Sequence, residues 1–376
     1  MKKELYGLLI LLLLLSCKQI QKATDVVTQP TAREVYERNF DDNDKRFTSW
    51  KAAYNRAFTD SLQIKLPYTE TGIINAKNNA VYSYNFSVKE GEKLIISTET
   101  EIDSLSLFID LFQKQNDSVF QKKPKKSNRP NKSSIAYEVT KNESLKVVIQ
   151  PQLQGTSSFT LKIYTLPTYQ FPVSGAGNRD IKSFWGATRD GGKRSHEGVD
   201  IFAKRGTPVV AVTDGRVSST GNRGLGGKQV WLRDGLFGSS IYYAHLDSIV
   251  TTGGKRVKKG DTLGFVGNTG NAKTTAPHLH FGIYKGYSGA VDPLPFIKKQ
   301  QAPKNNTVNR ISFGKVTRNN AELRLGSSTK YQQIASLRRN DSVSILGKNN
   351  SWFHIQKNDS IKGFMHQSLL KSAPSN

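Results

Sequence analysis

Apolar and polar residues alternate with period two over most of this chain, and the stretches where they do not mark its joints. From about Ile64 to Thr165, runs such as Ala80-Val81-Tyr82-Ser83-Tyr84-Asn85-Phe86 and Phe159-Thr160-Leu161-Lys162-Ile163-Tyr164 are separated by turn signals such as Glu90-Gly91-Glu92. That pattern predicts a β-sandwich over 64–166. The glycine-rich strand pattern continues through 167–299, which predicts a central β region. A polar, strand-poor linker, 300–310, then leads into a run of short strands with a central Trp352 over 311–371, the size of a small barrel. Only the segment 18–63 departs from this mainly β reading. Lys18 to Thr28 is polar and patternless, as a tether is. Val35, Tyr36, Phe40, Phe47, Trp50, Ala53 and Phe58 recur at mostly three-to-four spacing, which predicts one or two short helices between Ala32 and Asp60.

The amino terminus changes the picture of where the chain works. Lys2 and Lys3 precede an unbroken aliphatic run, Leu8 to Leu15, far shorter than the roughly 20 residues needed to cross a bilayer, so it reads as the core of a signal peptide. Leu14-Leu15-Ser16-Cys17 matches a bacterial lipobox, and Cys17 is the only cysteine in 376 residues. Residues 1–17 therefore read as a lipoprotein signal peptide whose lipobox ends at Cys17, and the mature chain is expected to begin at a lipidated Cys17 that holds it to a membrane. With no second cysteine, no intramolecular disulfide can form. Lys18 rather than aspartate after the cysteine resembles the sorting signal for the outer membrane, and its periplasmic face is the expected side.

A net charge of +25 calls for an anionic partner. Nucleic acid is set aside because an exported lipoprotein does not meet it, which leaves wall carboxylates and anionic envelope polymers. The basic, proline-broken run Lys122-Lys123-Pro124-Lys125-Lys126 through Lys132 reads as a solvated loop.

The chemistry is concentrated in three phrases: Ser195-His196-Glu197-Gly198-Val199-Asp200, Tyr243-Ala244-His245-Leu246 and Pro277-His278-Leu279-His280-Phe281. They hold four of the chain's six histidines. On strands, residues two or four apart share a face, so His196 is expected beside Asp200 and His278 beside His280. Two imidazoles and a carboxylate suit a zinc ion whose fourth position stays open for water, the arrangement of a catalytic site. A zinc site built from several thiolates is excluded by the cysteine count. Glu197 after His196 suggests the helical H-E-x-x-H motif, but Asp200 stands where the second histidine belongs, and Gly198-Val199 suits a strand. Glu197 is therefore read as a surface group turned from the metal, not as the base.

These phrases, with Arg194 to Ile201, Gly206-Thr207-Pro208-Val209-Val210-Ala211, Asp214-Gly215-Arg216-Val217 and Gly267-Asn268-Thr269-Gly270, resemble the lysostaphin-type zinc endopeptidases that cut peptide cross-links in peptidoglycan. The resemblance runs from about Phe171 to Phe296. It implies a central antiparallel β-sheet domain with a groove, and one zinc per chain held by His196, Asp200 and His280, with His245 and His278 as the catalytic histidines. Gly282 is a departure, since many members carry an acidic residue there. The tail, Leu323-Arg324-Leu325-Gly326 through Lys362-Gly363-Phe364-Met365, resembles bacterial SH3-like modules and implies capture of the wall. His354, alternating with Phe353 and Ile355, and His366 are read as structural or exposed rather than as ligands. The expectation is a membrane-anchored zinc endopeptidase acting on stem peptides or cross-bridges of peptidoglycan. The rival is a non-catalytic wall-binding lipoprotein that regulates another hydrolase. A zinc-storage lipoprotein or general adhesin leaves His245 without a role.

Overall fold

The computed structural model describes residues 24–372 apart from 76–79, 103–104, 117–118, 121–122, 236–237 and 359–360. The lipobox and Cys17 lie outside the described residues, as does Lys122 of the basic run. Residues 24–28 form a helical turn, closed by Gln29 N–H on Asp25 O at 2.9 Å and by the Arg38–Asp25 ion pair at 2.9 Å. The expected tether is thus ordered at its end, through contacts that its composition does not advertise.

Two helices follow. Ala32–Glu37 begins in a capping box between Thr31 and Glu34, and Asp44 caps Lys45–Arg56 by accepting from the amides of Arg46 and Phe47. Such caps satisfy amides that no turn of helix can reach. The buried face of the longer helix, Phe47, Trp50 and Ala53, packs with Phe108, Phe112 and Val148 on the outside of a sheet. Trp50 Nε1 donates to Pro151 O at 2.8 Å, so even the polar edge of the indole is paired.

That sheet contains Tyr82–Val88, Glu143–Pro151 and Leu107–Asn116, all antiparallel. Part of the basic run joins its edge, where Lys126–Ser127 pairs with Leu107–Asn116 and Lys125 bonds Glu143. Against it lies a second sheet of Tyr68–Asn75, Thr156–Pro167, Glu92–Thr100 and Ser134–Glu138. Leu94, Ile96, Ile109, Leu111, Val147 and Ile163, all buried, fill the space between them.

The central unit is one twisted sheet in the order Ile181–Ser183, Val199–Phe202, His278–Lys285, Ser240–Ile249, Gly227–Arg233, Gly215–Arg223 and Arg256–Val257. Its core of Val199, Ile201, Tyr243, Leu279, Phe281 and Ile283 lies on the face away from the histidines. Strand alternation therefore assigns the core and the site to opposite sides of the same strands.

The terminal unit has seven short strands between Phe313 and Ser372 rather than the five legible from its apolar runs around Leu323, Ile334, Val343, Trp352 and Phe364, since Phe313–Val316 and Leu370–Ser372 carry little pattern. It is not a free module. Thr71 of the sandwich pairs with Lys348, which joins barrel and sandwich into a single sheet, and Leu346 and Phe364 belong to the sandwich core. Trp352 packs against that same core instead of the barrel centre. The linker runs along the sandwich, with Thr71 Oγ1 donating to Thr307 O at 3.1 Å and accepting from Asn309 N at 3.2 Å.

Candidate metal centre and its groove

Strand pairing builds the site. Asp200 on Val199–Phe202 lies opposite His280 on His278–Lys285, and Phe202 lies opposite His278, whose ring stacks on it at 4.9 Å. His196, expected on a continuous strand with Asp200, instead sits in a break between Arg194–Ser195 and Val199–Phe202. The bend at Glu197-Gly198, not strand alternation, turns it back toward Asp200. Gly198 is required there, because a Cβ on it would lie 2.6 Å from His280 Cε1 and 2.6 Å from Phe281 O.

Three atoms converge: His196 Nε2 is 3.1 Å from Asp200 Oδ1, His280 Nδ1 is 3.0 Å from the same oxygen, and the two nitrogens are 3.0 Å apart. A tetrahedral ion with bonds of about 2.0–2.1 Å needs ligands about 3.3 Å apart, so this triangle is close to one face of that tetrahedron. The protonation pattern fits as well. His196 Nδ1 lies 3.0 Å from Phe184 O, and a carbonyl takes only a donor, so Nε2 presents a lone pair. Lone pairs and a carboxylate aimed at one point are a cation's donor set. Among the described residues, His196, Asp200 and His280 form the grouping able to hold a metal ion.

Burial disfavours the charge on Asp200, yet its contacts with His196 and His280 outweigh burial and hold its carboxyl well below the usual carboxylate range. Burial pushes His280 below the ordinary imidazole value despite the pull of Asp200. Arg189 supports the ligands from behind: its Nη2 donates to Asp200 Oδ2 at 2.7 Å and to Ser183 Oγ at 2.6 Å, and Ser183 Oγ is 3.3 Å from His196 Nδ1. No feature of the sequence singled out Arg189 among so many basic residues.

His245 and His278 stand beside the triangle, their rings 5.1 Å apart, and His245 is 5.9 Å from His280. His245 Nδ1 bonds Thr269 O at 2.9 Å, and His278 Nδ1 bonds Ala276 O at 2.8 Å. Both carbonyls assign the proton to Nδ1 and leave Nε2 as a base. Burial, then the neighbouring His278 and His280, push His245 down to about 4. Its backbone is left-handed, with φ of 62°, where the ladder to Gly227–Arg233 shifts register.

The groove around these groups has a volume of about 630 Å³. Tyr242 and Tyr284 line it, and Trp231 stacks on Tyr242 at 4.4 Å. A Cβ at Gly282 would meet Tyr284 Cε2 at 3.1 Å, so the tyrosine crowds the space a side chain there would need. Glu197 is exposed, and its Oε2 lies 3.5 Å from Tyr284 Oη, at the rim rather than among the converging donor atoms. His354 and His366 take no part in this site. His354 is fully buried at the barrel–sandwich junction, and His366 accepts from Ser368 N at a turn.

Residues 194–293 match the model of Peptidase family M23, and residues 319–371 match that of the bacterial SH3 domain. The chain is 34% identical over 144 residues to the L-Ala–D-Glu endopeptidase of Bacillus subtilis, which covers 35% of this chain and 44% of that protein. It is 41% identical over 108 residues to lysostaphin of Staphylococcus simulans, covering 27% of this chain and 21% of lysostaphin. The alignments thus span less than half the length of these curated relatives. The crystallised catalytic domain of lysostaphin from S. simulans aligns at 35% identity with a TM-score of 0.29, covering 31% of this chain and 92% of that domain. Among the described residues no helix is long and apolar enough to cross a membrane. With His196, Asp200 and His280 inside the matched span, the chain carries a Peptidase family M23 domain followed by a bacterial SH3 domain.

Proposed function

We propose that this chain is a zinc endopeptidase that hydrolyses peptide bonds in the stem peptides or cross-bridges of peptidoglycan. The observation that carries the reading is the junction of two unlike histidine pairs in one groove. His196 and His280 share a triangle with Asp200, while His245 and His278 keep their Nε2 atoms free beside it. His196, Asp200 and His280 would hold one zinc, whose chemistry is to polarise a carbonyl and to acidify water. The groove lays the substrate peptide across the ligand triangle, with the aromatic wall of Tyr242 and Tyr284 along it.

His245 is neutral at physiological pH because burial disfavours its charge, so its Nε2 accepts the proton of the attacking water. The oxygen adds to the scissile carbonyl carbon. The C–N bond then breaks as the proton passes to the leaving amine. His278, oriented by Ala276 O and by the face of Phe202, shares this transfer, and in its protonated form donates to the oxyanion. The endopeptidase names of the relatives support the reaction class. The lipobox supports anchoring at Cys17, with the enzyme at the outer membrane facing the periplasm and the SH3 domain holding wall.

Mass spectrometry of the fragments released from purified sacculi tests the proposal. A new amine within a stem peptide or cross-bridge is expected, and it disappears when a chelator removes the metal. Sacculi left intact by metal-loaded protein overturn the reading.

A further inference from the structure

A second cleft lies away from the metal groove, at the junction of all three units. At about 1260 Å³ it is twice the groove's size. Its floor is apolar, with Ile64, Phe86 and Leu145 each buried. Its rim is cationic. Lys65, from the segment before the first sandwich strand, Lys89, from the turn before Glu92–Thr100, and Lys298, next after the helix Leu294–Ile297, are exposed and line it together. No carboxylate among the described residues pairs with any of the three. The two acids on the lining are already engaged: Asp60 with Lys362 at 2.9 Å, and Glu92 with the Lys89 amide at 2.9 Å and Thr165 at 3.2 Å. Tyr331 of the barrel adds a half-buried ring.

Three ammonium groups on separate elements, above an apolar floor and beside an aromatic ring, match an extended ligand with anionic groups spaced along uncharged surface. A small ion would leave the floor wet. The cleft is also rigid, since shared strand pairing and a shared core fix the barrel to the sandwich, and a pre-formed cleft loses little entropy when filled. We propose that it is a second binding site, for a carboxylate-bearing glycopeptide strand of the wall, separate from the groove that cuts. The choice of wall over other polyanions rests on the endopeptidase reading, and on the cleft's including Lys298 at the end of the peptidase unit.

The test is equilibrium binding of a fluorescent, uncross-linked disaccharide tetrapeptide to the full chain, in a His278→Ala background so that the probe is not consumed. Expected is binding that weakens with salt, and that weakens at least tenfold when the probe's carboxylates are amidated. The Lys65→Glu, Lys89→Glu, Lys298→Glu triple variant should lose at least tenfold, and the corresponding glutamine triple a smaller share, both with unchanged melting temperature and zinc content. If the glutamate triple misfolds, the glutamine triple decides. A triple variant within twofold of the parent, or equally tight binding of a glycerol phosphate oligomer, overturns the proposal. The two readings fail separately: a chain that binds the probe through these lysines but leaves sacculi intact keeps its cleft and loses its enzyme, and the reverse result does the opposite.

Discussion

At the scale of single residues, the proposed reaction divides groups that would hold the metal from groups that would act on the substrate. His280→Ala removes one corner of the ligand triangle, so zinc and activity should be lost together. His245→Ala and His278→Ala leave the triangle intact and should keep near-normal zinc while turnover falls about 10²- to 10⁴-fold. Zinc content and cleavage rate measured on the same preparations decide this, and loss of zinc in His278→Ala would make that residue a ligand. Arg189 belongs to a third class, groups that orient a ligand. Removing such a partner typically costs about 10- to 100-fold in metal affinity, so Arg189→Ala should weaken zinc by that range in a chelator competition, with partial recovery in Arg189→Lys. An affinity unchanged in Arg189→Ala would mean that Asp200 is held without it. The histidines and Asp200 were legible in the sequence because histidine is scarce here, six in the chain, and its clustering stands out. Arg189 was not legible, because it is one of 55 lysines and arginines and its role depends on a contact that only folding creates.

At the scale of elements, alternation foresaw the side-by-side placement of His278 and His280 but not how His196 reaches Asp200. There the work is done by a bend that only Gly198 tolerates. The helix Lys45–Arg56 shows a similar split: its apolar face was readable, whereas the partner that closes its end was not. Lys146 on Glu143–Pro151 donates to the carbonyls of Ala57 at 3.3 Å and Phe58 at 3.1 Å, just past that helix. Burial pushes this lysine down to about 8. The sign follows from linkage: between about 8 and the unfolded value of about 10.4 the unfolded chain binds more protons than the folded one, so this group makes stability rise with pH across that window. The urea midpoint of wild type minus that of Lys146→Met should therefore be larger at pH 9.5 than at pH 7.5, the wild type gaining on the variant at the higher pH. A constant difference would show that the lysine's proton affinity is the same in both states.

At the scale of the whole molecule, the barrel was legible as a unit, and its attachment was not. The attachment depends on pairing Thr71 with Lys348, residues far apart in the chain whose local patterns say only that each is a strand. At its centre lies a buried polar cluster: Glu70 Oε1 is 3.0 Å from His354 Nδ1, Tyr68 donates to Glu70 Oε2 at 2.6 Å, and Tyr84 donates to the same oxygen. Burial, and then Glu70 itself, raise both tyrosines well above the ordinary phenol value, so each stays a donor. Gly347 makes room for the carboxylate, since a Cβ there would lie 2.1 Å from Glu70 Oε1. Deleting residues 303–376 would strip Leu346 and Phe364 from the sandwich core and leave Glu70 buried without His354, so the truncation reports on folding before it reports on wall capture. Leaving a buried polar group without its hydrogen-bond partner costs about 1–3 kcal/mol. His354→Ala should destabilise the full chain by that amount, and hydrogen exchange should show strands of the sandwich and the barrel losing protection together. If only the barrel loosens while Tyr68–Asn75 and Thr156–Pro167 keep their protection, the two units fold independently and the cleft between them is not pre-formed.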